Sequence, residues 1–129
     1  MLAGEETPPA GAPAIRVVAM PADTNPNGDM FGGWLVSMMD LAAGTVASQR
    51  SKGRAATVAI DGMIFHRPVK VGDQVSIYAD LLSVGRTSMK IDVTAWRRAR
   101  GGTVDEKVTH AVLTFVAICE NGQPRPVDG

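Results

Sequence analysis

With only one cysteine, Cys119, in 129 residues, the chain cannot build a disulfide framework within itself or a cysteine zinc cluster. A single thiol fits a reducing compartment, and a cytoplasmic location is the expectation. Net charge is also missing: 13 basic residues balance 13 acidic ones. That balance argues against a broad electrostatic footprint for nucleic acid. Histidine is scarce, and His66 and His110 stand far apart with no acids at ligand spacing, so no metal site is expected. No GxSxG, GxGxxG or P-loop pattern occurs. The opening MLAGEETPPAGAPA is acidic and rich in Pro and Gly, lacking both the positive start and the apolar run of a signal peptide. No stable membrane insertion is expected either. The longest apolar stretch carries Gly32, Gly33, Gly44, two serines, a threonine and an acid within a span-length window.

What remains is an ordinary globular composition, 45% hydrophobic and 20% charged, in a length that suits one domain. That domain is expected over residues 14–120, with 1–13 a flexible tail and 121–129 a C-terminal tail. IRVVAM, from Ile15, reads as a short first strand. PADTNPNGD is loop chemistry. A helix follows from about Phe31 to Gln49, with Gly53 as its expected C-cap. Four β-patterned stretches come next: ATVAIDGMIFH, QVSIYADLLSV, SMKIDVTAWRR and KVTHAVLTFVAIC. Turns containing VKVGD, Gly85-Arg86 and ARGGTVDE separate them. Strands in such succession predict an antiparallel meander, here against one apolar helix that the sheet would wrap.

Asp40 is the informative residue. It is the only charge between Phe31 and Gln49, and Trp34, Leu35, Met38, Leu41, Ala42, Thr45 and Val46 surround it at helical spacing. Such a carboxylate either reaches solvent on one face or is held inside for chemistry. Burying it costs several kcal/mol unless it is hydrogen-bonded or protonated. The cost marks a functional candidate. The flanking Met39, Leu41, Ala43 and Gly44 give it no polar stripe to belong to.

Three segments, NPNGDMFGGWLVSMMD, FHRPVKVGD and VGRTSMKI, together resemble the hotdog-fold acyl-CoA thioesterases, and most closely the YciA-type acyl-CoA hydrolases. The resemblance spans about residues 15–120. It implies an α+β hotdog fold, in which a five- to six-stranded antiparallel sheet wraps a long central helix. It also implies a homodimer with joined sheets, active sites at the dimer interface and further assembly into hexamers as trimers of dimers. The family's catalytic acid falls on Asp40 and its asparagine on Asn25, contributed by different subunits. The helix-opening glycine pair falls on Gly32 and Gly33. The segments along the coenzyme A tail fall on Phe65, His66, Arg67 and Pro68, and on Val84, Gly85, Arg86, Thr87 and Ser88. The residues after Cys119 leave little extension to bind the nucleotide end. No cofactor is implied, since coenzyme A is part of substrate and product.

The residues allow this chemistry and plainer roles. Gly32 and Gly33 at a helix start give free N–H groups and close approach, as an oxyanion hole needs, or they merely permit a tight entry into the helix. Asp40, about two helical turns further along, acts as general base on water or attacks the thioester directly. Asn25 orients the water or the carbonyl, or is a turn residue before Pro26. Arg67 and Arg86 pair with phosphate, or cap solvated strand ends. Two alternatives to a hydrolase follow. A hotdog dehydratase would carry a histidine near the helix, and none precedes His66. A non-catalytic acyl-CoA-binding or assembly module would not need the acid at Asp40.

Overall fold

The computed structural model describes residues 7–129, so the first six residues of the expected N-terminal tail lie outside it. Residues 7–13 form neither helix nor strand. The elements are β1 (Ile15–Val18), a 3₁₀ turn (Pro21–Asp23), α1 (Gly32–Ser51), β2 (Ala55–Phe65), β3 (Gln74–Val84), β4 (Ser88–Arg98) and β5 (Asp105–Ala117). The sheet is antiparallel throughout, in the order β1-β3-β4-β5-β2. α1 packs against β2, β3, β4 and β5, which is the expected hotdog arrangement.

The simple meander holds only for β3, β4 and β5. β2 pairs with β5 at the far edge and not with β3, whose free side is taken by β1. The reason lies in the connection. Residues 66–73 are too many for a tight hairpin turn, and Val69 within them is buried. The link therefore crosses the end of the sheet instead of reversing beside β2.

α1 packs with a narrow face. Leu35, Met39, Ala42, Ala43 and Ala47 are buried, and the three alanines let the helix axis approach the sheet. Ile77, Met89, Ile91, Val93, Leu113 and Phe115 meet them from the inner face. Met39 is fully buried among these side chains, so Met39→Ala is expected to cost about 2–5 kcal/mol through the cavity it leaves. Chemical denaturation would measure it as a lower midpoint with an unchanged slope.

The helix runs to Ser51, two residues past the expected Gln49, and its C-cap falls on Lys52, one residue before the expected Gly53. Lys52, at φ 57, takes the left-handed position and its N–H donates to Ser48 O. Gly53 is needed for another reason: a Cβ there would lie 2.5 Å from Arg125 Nη2.

Two edges matter for function. β2 bears Val58, Ile60 and Ile64, exposed at 59%, 41% and 64%, on a strand with one unpaired side. Such an edge invites another strand. At the other end of the chain, residues 118–129 fold back over the sheet instead of trailing away. Cys119 N donates to Gln123 O at 2.8 Å and Arg125 N to Ala117 O at 2.9 Å.

Candidate active site

Two concavities hold the catalytic candidates. The first, of about 390 Å³, lies between the start of α1 and the β2–β3 connection. Asn25, Gly32, Phe65, His66, Arg67 and Pro68 all line it. The structure thus brings together, from three segments, six of the residues singled out in the sequence.

Asn25 is held by its own loop. Its Oδ1 accepts from Asn27 N at 2.9 Å and Asp29 N at 3.1 Å. Both bonds use the oxygen, which leaves the side-chain NH₂ to donate elsewhere. The loop is tied to the opposite wall by Met30 N donating to Val69 O at 2.8 Å and by the Lys70–Asp29 ion pair at 2.5 Å.

Neither helix-opening glycine is demanded by the chain itself. Both have ordinary negative φ. A Cβ on Gly32 would meet the Phe65 ring at an ordinary 3.5 Å, and one on Gly33 would meet nothing within 4 Å. A tight entry is therefore not what requires them. Their N–H groups precede the first intrahelical bonds, at the positive end of the helix dipole.

Arg67 is committed inward. Its Nη1 donates to Lys107 O at 2.6 Å, and its Nε lies 3.5 Å from Glu106 Oε2. Glu106 also takes Arg97 Nη2 at 2.9 Å, while Arg97 Nη1 reaches the buried Asp73 at 3.1 Å. Burial opposes the charge on Arg97, but the bonds to Asp73 and Glu106 outweigh it and raise its pKa. Asp73, from the VKVGD motif, is thereby an anchor for the cavity wall. Arg97 is its partner.

Asp40 is elsewhere. It opens onto a second, shallow groove of about 620 Å³ along α1, with Leu41, Gly44, Ser48, Thr57 and Phe115. It is half-buried, not enclosed. Its Oδ1 accepts a hydrogen bond from Thr57 Oγ1 at 2.5 Å. No residue lines both concavities, so within one chain Asp40 and Asn25 do not share a cavity.

Thr57 is the residue that sequence reasoning missed. A threonine near the start of a β-rich stretch carries no special signal, and only the packing of β2 on α1 brings it to the acid. Removing its hydroxyl with Thr57→Val would leave Asp40 free to rotate. If Asp40 is the base, kcat should fall about tenfold or more with KM little changed, as steady-state kinetics would show.

The Val84–Ser88 segment is the β3–β4 turn and lines neither concavity. At Gly85 a Cβ would stand 2.9 Å from Ser88 Oγ, so a larger residue there would make the Ser88 hydroxyl turn aside. Arg86 is exposed. His110 pairs with Asp92 between β4 and β5, apart from both grooves. Among the described residues, no three His, Cys, Asp or Glu side chains gather as a metal site. None of the described helices is long and apolar enough to cross a membrane.

Comparison with known proteins bears on the fold and the family. Residues 27–103 match the model of the thioesterase superfamily. An acyl-CoA thioester hydrolase of Zymomonas mobilis, itself uncharacterized, is 55% identical over 93% of this chain and 80% of its own length. The acyl-CoA thioester hydrolase YciA of Escherichia coli is 42% identical over 91% of both chains. A hexameric thioesterase from Yersinia pestis superposes with a TM-score of 0.88 at 43% identity, over 94% of this chain and 98% of that one. With its single wrapped helix, its glycine-opened helix start and its lone intrahelical acid, the chain belongs to the thioesterase superfamily, among the YciA-type acyl-CoA hydrolases.

Proposed function

We propose that this protein hydrolyses acyl-CoA, taking R–CO–S–CoA and water to a carboxylic acid and free coenzyme A. The observation that carries the reading is Asp40, the one carboxylate on its helix, steadied by Thr57 and open to a groove. The relatives named as acyl-CoA thioester hydrolases support the substrate class.

Two chains complete the site. The exposed apolar edge of β2 pairs with the same edge of a second copy, placing the Asn25 cavity of one chain against the Asp40 groove of the other. Three such dimers form a hexamer; the Yersinia pestis thioesterase is itself hexameric. Asp40 takes a proton from water as the new C–O bond forms. The oxyanion is met by the N–H groups of Gly32 and Gly33, and Asn25 NH₂ donates to the carbonyl or the water. The C–S bond then breaks, and protonated Asp40 returns its proton to the leaving sulfur, which departs as the thiol. In the alternative course, Asp40 attacks the carbonyl itself and water cleaves the resulting anhydride. Phe65, His66 and Pro68 wall the thioester, and the turn from Val84 to Ser88 meets the coenzyme A tail, where Arg86 is the exposed cation. Arg67, bound to Glu106 and Lys107 O, shapes the wall more than it grips phosphate. The enzyme works in the cytoplasm with neither metal nor redox cofactor.

The test is release of free thiol from short, medium and long acyl-CoAs. At least one is expected to turn over, and a chelator should leave the rate unchanged. If every acyl-CoA in the panel stays intact, the hydrolase reading fails and a binding module takes its place.

A further inference from the structure

Residues 118–129 form a hook, and Arg125 is its fastener. The Arg125 guanidinium donates to Ile118 O at 3.0 Å, Ser51 O at 3.0 Å, Arg54 O at 3.3 Å and Ser51 Oγ at 3.4 Å. One side chain thus joins the end of β5, the end of α1 and the residue before β2. Ser51 O is among the carbonyls that a helix leaves unpaired at its C-terminus, where a cation also suits the dipole. The bare Cα of Gly53 makes room for the guanidinium.

Beyond Arg125 the hook stays attached. Val127 is buried in the core at 5% exposure. Asp128 accepts two bonds from Arg50, at 2.7 and 3.2 Å, and this hydrogen bonding holds its carboxyl below the usual carboxylate range. The contact of consequence is Val127 N, which donates to Arg86 O at 2.8 Å. Ala117 N donates to Thr87 O at 2.9 Å. Both carbonyls of the β3–β4 turn are therefore drawn toward β5 and the hook. In a planar trans peptide the N–H points opposite to the preceding C=O. The Thr87 N–H must then point away from the hook, on the same turn as the exposed Arg86, whose guanidinium has no partner among the described residues. An outward N–H and an unpaired guanidinium on one turn suit an anion.

We propose that Arg125 is a positioning residue, fastening the hook that fixes the Gly85–Thr87 turn to receive the phosphates of coenzyme A. This rests on the acyl-CoA reading given above and extends it to a residue outside the cavities of the catalytic candidates. It does no chemistry on the thioester.

The test compares an acyl-CoA with the same acyl group on N-acetylcysteamine, a thioester without nucleotide or phosphate. Arg125→Ala, and separately removal of residues 127–129 with Arg125 kept, should raise KM for acyl-CoA about tenfold with kcat within a factor of about two. Turnover of the N-acetylcysteamine thioester should be unchanged, and Arg125→Lys should restore part of the loss. Calorimetric binding of free coenzyme A should weaken by the same factor. That binding reads the hook even if the wild-type protein hydrolyses neither thioester, an outcome that would sink the hydrolase reading alone. Equal losses on both thioesters, or none on either, would overturn the proposal. So would failure of both variants to fold, which would make the hook a folding element only.

Discussion

Asp40→Ala is expected to lower kcat on acyl-CoA about 10²–10⁴-fold while the protein still folds, the range typical of losing a general base. The two halves of that expectation have separate causes. Activity falls because no other carboxylate lies on α1, and no acid other than Asp40 lines its groove, so nothing nearby can take over the proton. Folding survives because Asp40 is half-buried at an open groove and its one hydrogen bond is to Thr57, whose hydroxyl can turn to water. Surface changes of this kind usually stay within about 0.5 kcal/mol. Thermal unfolding beside steady-state kinetics separates the two effects. A variant retaining most of its kcat would remove Asp40 from the chemistry, whether as base or as nucleophile.

The second large effect is expected from β2. Ile60→Glu with Ile64→Glu should yield a folded monomer whose rate on acyl-CoA falls at least as far as that of Asp40→Ala. Both isoleucines are exposed, at 41% and 64%, so within one chain the substitutions remove little packing. Against a second β2 the result is different. The carboxylates would be brought together and desolvated along an edge that offers them no cation, and burial of unpaired charge costs several kcal/mol. The monomer is expected to lose activity because Asn25 and Asp40 line different concavities of one chain, and the proposed site joins them across two. Sedimentation would give the size, and thiol release the rate. A fully active monomer would contradict the shared site.

The sequence carried the parts of this protein that depend on local pattern. β4 runs from Ser88 to Arg98 as its alternation predicts, and α1 departs by no more than two residues at either end from the expected span. Asp40 stood out because it is the only charge between Phe31 and Gln49. What escaped depends on contacts distant in sequence. The pairing of β2 with β5 is decided by a connection that crosses the sheet, and alternation within β2 is blind to its neighbour. Thr57 reaches Asp40 across 17 positions. Arg67 looked like a phosphate ligand until Glu106 and the Lys107 carbonyl were seen to hold it. Arg125 fell within the C-terminal tail with no role assigned, because its acceptors, as far off as Ser51, are backbone carbonyls that no residue type announces.

In the proposed site two chains contribute, the acid from one and the asparagine from the other. Asp40→Ala should be nearly inactive, and Asn25→Ala should lose less, since it orients without carrying a proton. In a dimer mixed from the two variants, one site holds both defects and the other holds neither. Unfolding the two proteins together and refolding the mixture should therefore restore activity well above either parent, approaching half of a wild-type site pair in each mixed dimer. No recovery, with mixed dimers demonstrated by mass spectrometry, would mean that both residues act from one chain or that one of them is not in the site.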